Sequence, residues 1–260
     1  MAGVTRVLLD AALRPIALVY TLAMVGILAF LWYKGRISRT LAAAVLVVSA
    51  IFGFLFASVA PYQFQLALLE LAGGPGGTLV FAVIGLGLFV VLTLIFGRIF
   101  CASLCPLGAI QELASLAPVP KLKPRVKMEL AALRLVALAL IVAAALFFSV
   151  SVLAYLGVLD LFLLSLSVGS LAMLTILVAS LFFYRPFCRI LCPFGAVLSL
   201  AGLASRFKLR RNPSCIECGK CEFTCPVDEA KREDLKGECY LCGRCTEVCP
   251  VKGAITYRRR

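Results

Sequence analysis

The sequence predicts an α-helical integral membrane protein with about five transmembrane helices and a small, cysteine-rich α+β domain at its C-terminus. Hydrophobic residues make up 62% of the 260-residue chain, and its mean hydropathy is +1.04. A soluble domain has only roughly 45–50% apolar residues. Long apolar runs alternate with basic segments up to about residue 205, after which the apolar runs stop and eight of the 12 cysteines follow.

Five apolar runs predict the transmembrane helices. A helix needs about 20 apolar residues to cross the hydrocarbon core of a bilayer. The first run, 15–33, is uncharged over its whole length. The next three cover about 41–60, 79–100 and 129–153, and the fifth ends at Tyr184.

The distribution of positive charge predicts the orientation of these helices. Lys and Arg are concentrated in segments 34–39, 98–127 and 185–211, whereas 61–78 and 151–169 have none. Because basic residues favour the cytoplasmic side of a membrane, we expect the first three segments in the cytoplasm and the other two as outward-facing loops. The net charge is +13, and the basic residues lie around the apolar spans. Binding to nucleic acid explains this distribution poorly, so the expected partner is the lipid bilayer.

The same pattern divides the chain into three parts. We expect residues 1–40 to form an N-terminal anchor that is retained rather than cleaved, 41–205 a duplicated transmembrane core, and 206–260 a cytoplasmic domain. The protein would then lie in the inner (cytoplasmic) membrane of a prokaryote. The basic run 206–211 at the junction is expected to contact anionic lipid headgroups.

Two cysteine runs with identical spacing dominate the C-terminal domain. Each reads C-x2-C-x2-C-x3-C-P, once from Cys215 to Cys225 and again from Cys239 to Cys249. This is the ligand spacing of bacterial ferredoxins with two 4Fe–4S clusters, in which the fourth cysteine of each run ligates the other cluster. We therefore assign one cluster to Cys215, Cys218, Cys221 and Cys249, and the other to Cys239, Cys242, Cys245 and Cys225.

Zinc sites and disulfides explain these runs less well. Zinc sites usually take two separated C-x2-C pairs rather than three close cysteines and a displaced fourth. A disulfide framework would need an exported, oxidised domain. The chain has no histidine, so we expect no haem with histidine ligation.

A second cysteine system lies in an internal repeat of the membrane core. Residues 98–110 and 185–197 align at a uniform offset of 87, with eight of 13 positions identical. Both contain a Cys-x3-Cys-Pro frame, formed by Cys101 and Cys105 in one copy and by Cys188 and Cys192 in the other. Proline disfavours helix in the residue before it and suits the first turn of a new helix. Cys105 and Cys192 should therefore lie at helix breaks, each followed by a short interfacial helix.

The residues leave three interpretations of these four cysteines open. They could converge on the pseudo-symmetry axis and hold a third iron–sulfur cluster. They could instead form two redox-active dithiols, or they could simply pack as small hydrophobic residues.

With both cysteine systems in view, residues 41–260 resemble the membrane polyferredoxins of the NapH type, whose superfamily includes NosR and CcoG. The resemblance rests on the two Cys-x3-Cys-Pro frames and the two ferredoxin runs. It implies a quinol dehydrogenase subunit of a multi-subunit oxidoreductase complex, which passes electrons between the quinone pool and a partner redox protein. Residues 1–40 are an addition to the NapH pattern, and the flavin-bearing domain of NosR and the extra C-terminal domain of CcoG have no counterpart in the sequence.

Two further functions compete with quinol oxidation. A CcoG-like metal reductase or assembly factor would use the Cys-x3-Cys-Pro thiols on a metal such as copper, because soft thiolates suit copper(I). Alternatively, the chain would anchor another redox protein, and its clusters would only conduct electrons to that protein. The sequence identifies no catalytic residue for any of these functions.

Overall fold

The computed structural model describes residues 19–56, 60–73, 77–122 and 127–259. The start of the first predicted span lies outside these residues. Helices occupy most of the described chain up to residue 203. They are α1 (Val19–Tyr33), α2 (Arg39–Phe56), α3 (Ala60–Gly73), α4 (Gly77–Phe96), α5 (Pro106–Ser115), α6 (Lys127–Phe148), α7 (Val152–Tyr155), α8 (Val158–Phe162), α9 (Val168–Ala179) and α10 (Pro193–Leu203).

The prediction of a loop over 61–78 is wrong for most of that segment, because the chain forms helix α3 up to Gly73. The lack of basic residues and the Gly- and Pro-rich run 73–77 favour a loop, but the residues before that run are mainly Leu, Ala and Gln, which favour helix. The helix packs against α4, α6 and α10, and Phe64 contacts Phe194 with ring centroids 6.5 Å apart. The segment therefore folds back into the helical bundle.

The second predicted loop, 151–169, contains the short helices α7 and α8. Gly157 lies between them with a φ of 63°, in the left-handed region that favours glycine. A Cβ at this position would stand 2.1 Å from the carbonyl carbon of Gly169. The turn and its close approach to the start of α9 both require glycine.

Within the described residues, one helix is long and apolar enough to cross a membrane by length and composition. It is α6, which has 22 residues and a mean hydropathy of 2.6 over its most apolar window. The other apolar helices are shorter over the residues whose side chains are described: Val19–Tyr33, Arg39–Phe54, Val83–Phe96, Val168–Ala179 and Pro193–Leu203. The five-span topology and its orientation therefore stay predictions.

The structure confirms the predicted helix breaks in both copies of the repeat. Phe100–Leu104 and Phe187–Leu191 form single π-helical turns, which we name π1 and π2. The next residue, Cys105 or Cys192, has an extended backbone, and α5 or α10 begins at the proline that follows. The proline fixes both features, because it keeps its predecessor out of the helical region and fits the first position of a helix.

Residues 206–259, which we call the C-terminal module, contain strands β1 (Phe207–Arg211) and β2 (Ile255–Arg259) and helices α11 (Lys220–Thr224) and α12 (Arg244–Glu247). The strands are antiparallel and pair Leu209 with Tyr257, so the two ends of the module close on each other. Lys208 does not reach lipid headgroups as expected for the run 206–211. It is buried and donates to the carbonyl oxygens of Leu203 and Leu235.

Replacing Gly157 by alanine tests the turn between α7 and α8. We expect Gly157→Ala to lower the free energy of unfolding by about 2 kcal/mol or more, because the new methyl group meets backbone at a positive φ. The measurement is thermal unfolding in detergent. Gly85→Ala is the matched control, since a Cβ there meets nothing within 4 Å. Equal losses in the two variants would contradict the strain at Gly157.

Candidate functional site

The first site in the C-terminal module is a cavity with an empty volume of about 320 Å³, part of it open to solvent. Its wall includes four cysteines, which are Cys215, Cys218, Cys221 and Cys249. These are the four residues that the ferredoxin spacing groups as one ligand set. Three of these cysteines belong to the first run, and the fourth, Cys249, belongs to the second run.

The second site is a larger cavity, with an empty volume of about 550 Å³. The cysteines in its wall are Cys225, Cys239, Cys242 and Cys245, again the predicted set. The backbone N–H of Glu229 donates to the sulfur of Cys225 at 3.3 Å. Tyr184, from the segment after α9, also lines this cavity, so the second cavity lies against the helical part of the chain.

Glycines explain how each run wraps its cavity. Gly219 and Gly243 follow the second cysteine of their runs and have φ values of 71° and 79°. Each is the N-cap of the short helix that contains the third cysteine. The left-handed glycine reverses the chain between the two cysteines and turns both toward the same space.

The four cysteines of the repeats form a third group, the four-cysteine centre: Cys101, Cys105, Cys188 and Cys192. All are buried, with exposed fractions of 5–7%. Arg185, three residues before Cys188, donates to the carbonyl oxygen of Cys101 at 2.6 Å, so the two copies of the repeat bring their cysteines into one region. The Gly195 N–H donates to the sulfur of Cys192 at 3.2 Å, and the Gln111 side-chain amide donates to the sulfur of Cys188 at 3.3 Å.

The three groups differ from a single-ion site. Across the described parts of the chain, no three cysteine or carboxylate side chains are grouped as ligands of one metal ion. In the two cavities of the module, the sulfurs instead stand around a shared space. That arrangement suits a 4Fe–4S cluster, which is held by four cysteine thiolates.

Two buried arginines cross between the copies of the repeat. Arg98, in the first copy, donates to the carbonyl of Gly195 in the second copy at 3.3 Å. Arg185, its counterpart in the second copy, donates to the carbonyls of Cys101 and Ala102, both at 2.6 Å. Each guanidinium thus supports the backbone beside the cysteines of the other copy.

Acidic residues balance these arginines where the C-terminal module meets the helices. Glu112, on α5, binds Arg185 and the module's Arg244, each at 2.9 Å. Burial alone would raise the pKa of Glu112, but the charges of Arg185 and Arg244 hold that pKa below its usual value. The carboxylate therefore stays ionised at neutral pH and joins the helical core to the module.

Glu238, from the module, has the same role toward the other repeat. It binds Arg98 at 3.7 Å and Arg134 at 2.5 Å. Burial opposes ionisation of Glu238, yet these two arginines lower its pKa. The module is therefore attached to the helical core by buried ion pairs on both sides of the four-cysteine centre.

Comparison with known proteins bears on these sites. A family model described as a 4Fe-4S binding domain matches residues 78–125 and 166–212. These segments contain the Cys-x3-Cys-Pro frames and end before the first ferredoxin run. The uncharacterised protein MJ0750 of Methanocaldococcus jannaschii is 37% identical over 58% of this chain and 68% of its own length.

The chain carries this 4Fe–4S binding domain and belongs to the same family as MJ0750. The chain is also similar to the putative electron transport protein YccM of Escherichia coli, which is 32% identical over 53% of the chain; the chain spans 44% of YccM. Protein NirI of Paracoccus denitrificans is 33% identical over 69% of the chain, which spans 27% of NirI. No solved structure matches.

The polar residues around these sites are only partly predictable from the sequence. The charge pattern places Arg98 and Arg185 among the residues that orient the helices, yet both are 1% exposed. The signal that could have found them is the repeat itself, because they occupy equivalent positions at the offset of 87. Gln111, Glu112 and Tyr240 have no such signal, since their contacts are far apart in sequence.

Neutralising Glu112 tests the ion pairs between the module and the core. We expect Glu112→Gln to lower the free energy of unfolding by about 3 kcal/mol, because two arginines lose their counter-ion and one of them is fully buried. Chemical unfolding of the protein in detergent measures this loss. Glu217→Gln removes the carboxylate of an exposed pair with Arg232 and should change stability little. If the two variants are equally stable, the buried pair does not attach the module.

Proposed function

We propose that the chain is a multi-pass membrane protein that transfers electrons between the quinone pool and a partner redox protein through three iron–sulfur clusters. The observation that carries this proposal is the burial of four cysteines from two copies of one motif, directly beside the ferredoxin-type module. Family membership supports the iron–sulfur chemistry. The number of clusters, the quinone and the partner are the proposed part.

Each proposed cluster has a set of residues that fits it. Cys215, Cys218, Cys221 and Cys249 would hold the first, Cys225, Cys239, Cys242 and Cys245 the second, and Cys101, Cys105, Cys188 and Cys192 the third. Bound there, the clusters supply one-electron redox chemistry. The chain positions them, keeps water from the four-cysteine centre, and donates N–H groups to the sulfurs of Cys188, Cys192 and Cys225.

The exposure of the cysteines gives the three sites an order. The four-cysteine centre is buried in the helical core, the second cavity touches that core at Tyr184, and Cys218 at the first cavity is exposed. A partner protein in water can approach the first cavity most closely. Electrons exchanged with such a partner would therefore pass through the module to reach the buried centre.

The surface of the helical part supports a place in the bilayer. Large apolar side chains are exposed along α6 and α9, among them Leu140, Phe147, Leu171 and Val178. An apolar surface of this kind is stable in hydrocarbon and unfavourable in water. We propose the topology of residues 41–205 with the module on the cytoplasmic side, and residues 1–40 as an anchor.

Iron and acid-labile sulfide per chain test the three-cluster proposal. Protein purified without oxygen should contain about 12 irons, and a variant with all four cysteines of the centre changed to serine should contain about 8. Cys218→Ser is the matched control, because this variant should lose iron from the C-terminal module and keep the spectrum of the four-cysteine centre. About 8 irons in both the native protein and the quadruple variant would overturn a third cluster. Copper that disappears with the four thiols would favour the metal-handling alternative.

Reduction by quinol tests the proposed electron source. The native protein in liposomes should be reduced by a soluble quinol analogue without any other protein, as followed by bleaching of the cluster absorption. The quadruple serine variant should be reduced at least about tenfold more slowly, because the buried centre is the site nearest the bilayer. Equal rates would show that quinol does not deliver electrons through that centre.

A further inference from the structure

Tyr240 occupies the space between the four-cysteine centre and the second cavity of the module. It directly follows Cys239, one of the cysteines of that cavity, and it is 1% exposed. Its hydroxyl lies 3.5 Å from the carbonyl oxygen of Cys188, to which it donates. One side chain thus connects a cysteine of the module to a cysteine of the membrane repeats.

Arg98 and Arg185 hold the ring of Tyr240. Their guanidinium carbons lie 4.4 Å and 4.7 Å from the ring centroid, within the range of cation–π attraction. Arg98 also donates to the tyrosine hydroxyl at 3.3 Å. Because each arginine is anchored to the opposite copy of the repeat, the ring is fixed with respect to both copies.

Two other polar connections link these sites. The guanidinium of Arg189, the residue after Cys188, donates to the carbonyl of Pro226, the residue after Cys225, at 3.4 Å. The second connection is longer. It leads from Cys242 through Arg244 and Glu112 to Arg185, which donates to the carbonyl of Cys101. That connection passes through three charged side chains and several non-covalent contacts. The connections through Tyr240 and Arg189 each need one side chain and one hydrogen bond, but only the Tyr240 side chain is held between Arg98 and Arg185.

We propose that Tyr240 is the contact through which electrons pass between the four-cysteine centre and the second cavity, and that Arg98 and Arg185 are its positioning residues. This inference rests on the proposed function, because it needs a redox group at both sites. One electron leaves the reduced site and enters the oxidised site. No bond forms or breaks, and Tyr240 keeps its proton and is not itself oxidised.

Tyr240→Phe tests the inference with the smallest change. It removes the hydroxyl that reaches Cys188 and keeps the ring between the arginines. Tyr257→Phe is the matched control, because the Tyr257 hydroxyl also donates from the module to a backbone carbonyl of the helical core, that of Phe96, at 2.6 Å. Both variants lose one hydrogen bond from a tyrosine hydroxyl to a carbonyl at the same interface, but only Tyr240 leads to a cysteine of the centre. Tyr240→Phe also removes the hydroxyl that accepts from Arg98, so the Arg98→Lys variant described below is measured beside it.

The measurement is the rate at which one electron equilibrates between the two sites after flash photoreduction of the purified protein. Iron content, reduction potentials and the magnetic coupling between the reduced sites are recorded on the same samples. We expect Tyr240→Phe to slow equilibration several-fold while these three quantities stay at their native values. Tyr257→Phe should leave the rate unchanged. Arg98→Lys keeps the charge but loses the planar group over the ring, and it should slow the rate without changing iron content.

The outcomes separate this inference from the proposed function. Equal rates for Tyr240→Phe and Tyr257→Phe, with electrons still moving between the sites, would overturn only the role of Tyr240. A slower rate that is accompanied by a matching change in potential would also overturn it, because the driving force would then account for the effect. A native protein in which no electron reaches the four-cysteine centre would overturn the proposed function as well.

Discussion

Two buried guanidinium groups, those of Arg98 and Arg185, hold together parts of the chain that are distant in sequence. Removing a charge from water costs several kcal/mol unless counter-ions and hydrogen-bond acceptors replace the solvent. For Arg185 these come from π1 and α5, and for Arg98 from α10 and the module. Neither arginine can be satisfied by its own copy of the repeat. The two copies and the module are therefore stable only as one unit.

The pseudo-symmetry of the repeats is broken where the module binds. At the offset of 87, Gln111 and Glu112 in the first copy correspond to Leu198 and Ser199 in the second. Gln111 donates to the sulfur of Cys188, and Glu112 binds Arg185 and Arg244. The Ser199 hydroxyl donates only locally, to the carbonyl of Ala196. One copy has thus acquired the polar contacts that orient the module, while both retain the backbone geometry that places the cysteines.

Local rules predicted the parts of this fold that depend on neighbouring residues. The proline after Cys105 and Cys192 determined the helix breaks, and the spacing of the ferredoxin runs indicated which cysteines share a cavity. Long-range contacts were not predictable in this way. The absence of basic residues from 61–78 gave no sign that α3 packs against α10, and the positive charge of Arg98 and Arg185 pointed to the membrane surface although both are buried. A charge in the sequence does not reveal whether lipid, water or a distant carboxylate neutralises it.

The same arginines bear on what the four-cysteine centre can do. Cysteine thiolates carry negative charge, and a one-electron reduction at the centre would add more in a region with little access to water. Burial disfavours that added charge, whereas two fixed guanidinium groups favour it. Glu112 and Glu238 bind these arginines and offset part of their charge. In the proposed function, the balance between these groups, rather than the cysteines alone, would determine how readily a redox group at the centre accepts an electron, and the attachment of the module would be part of that balance.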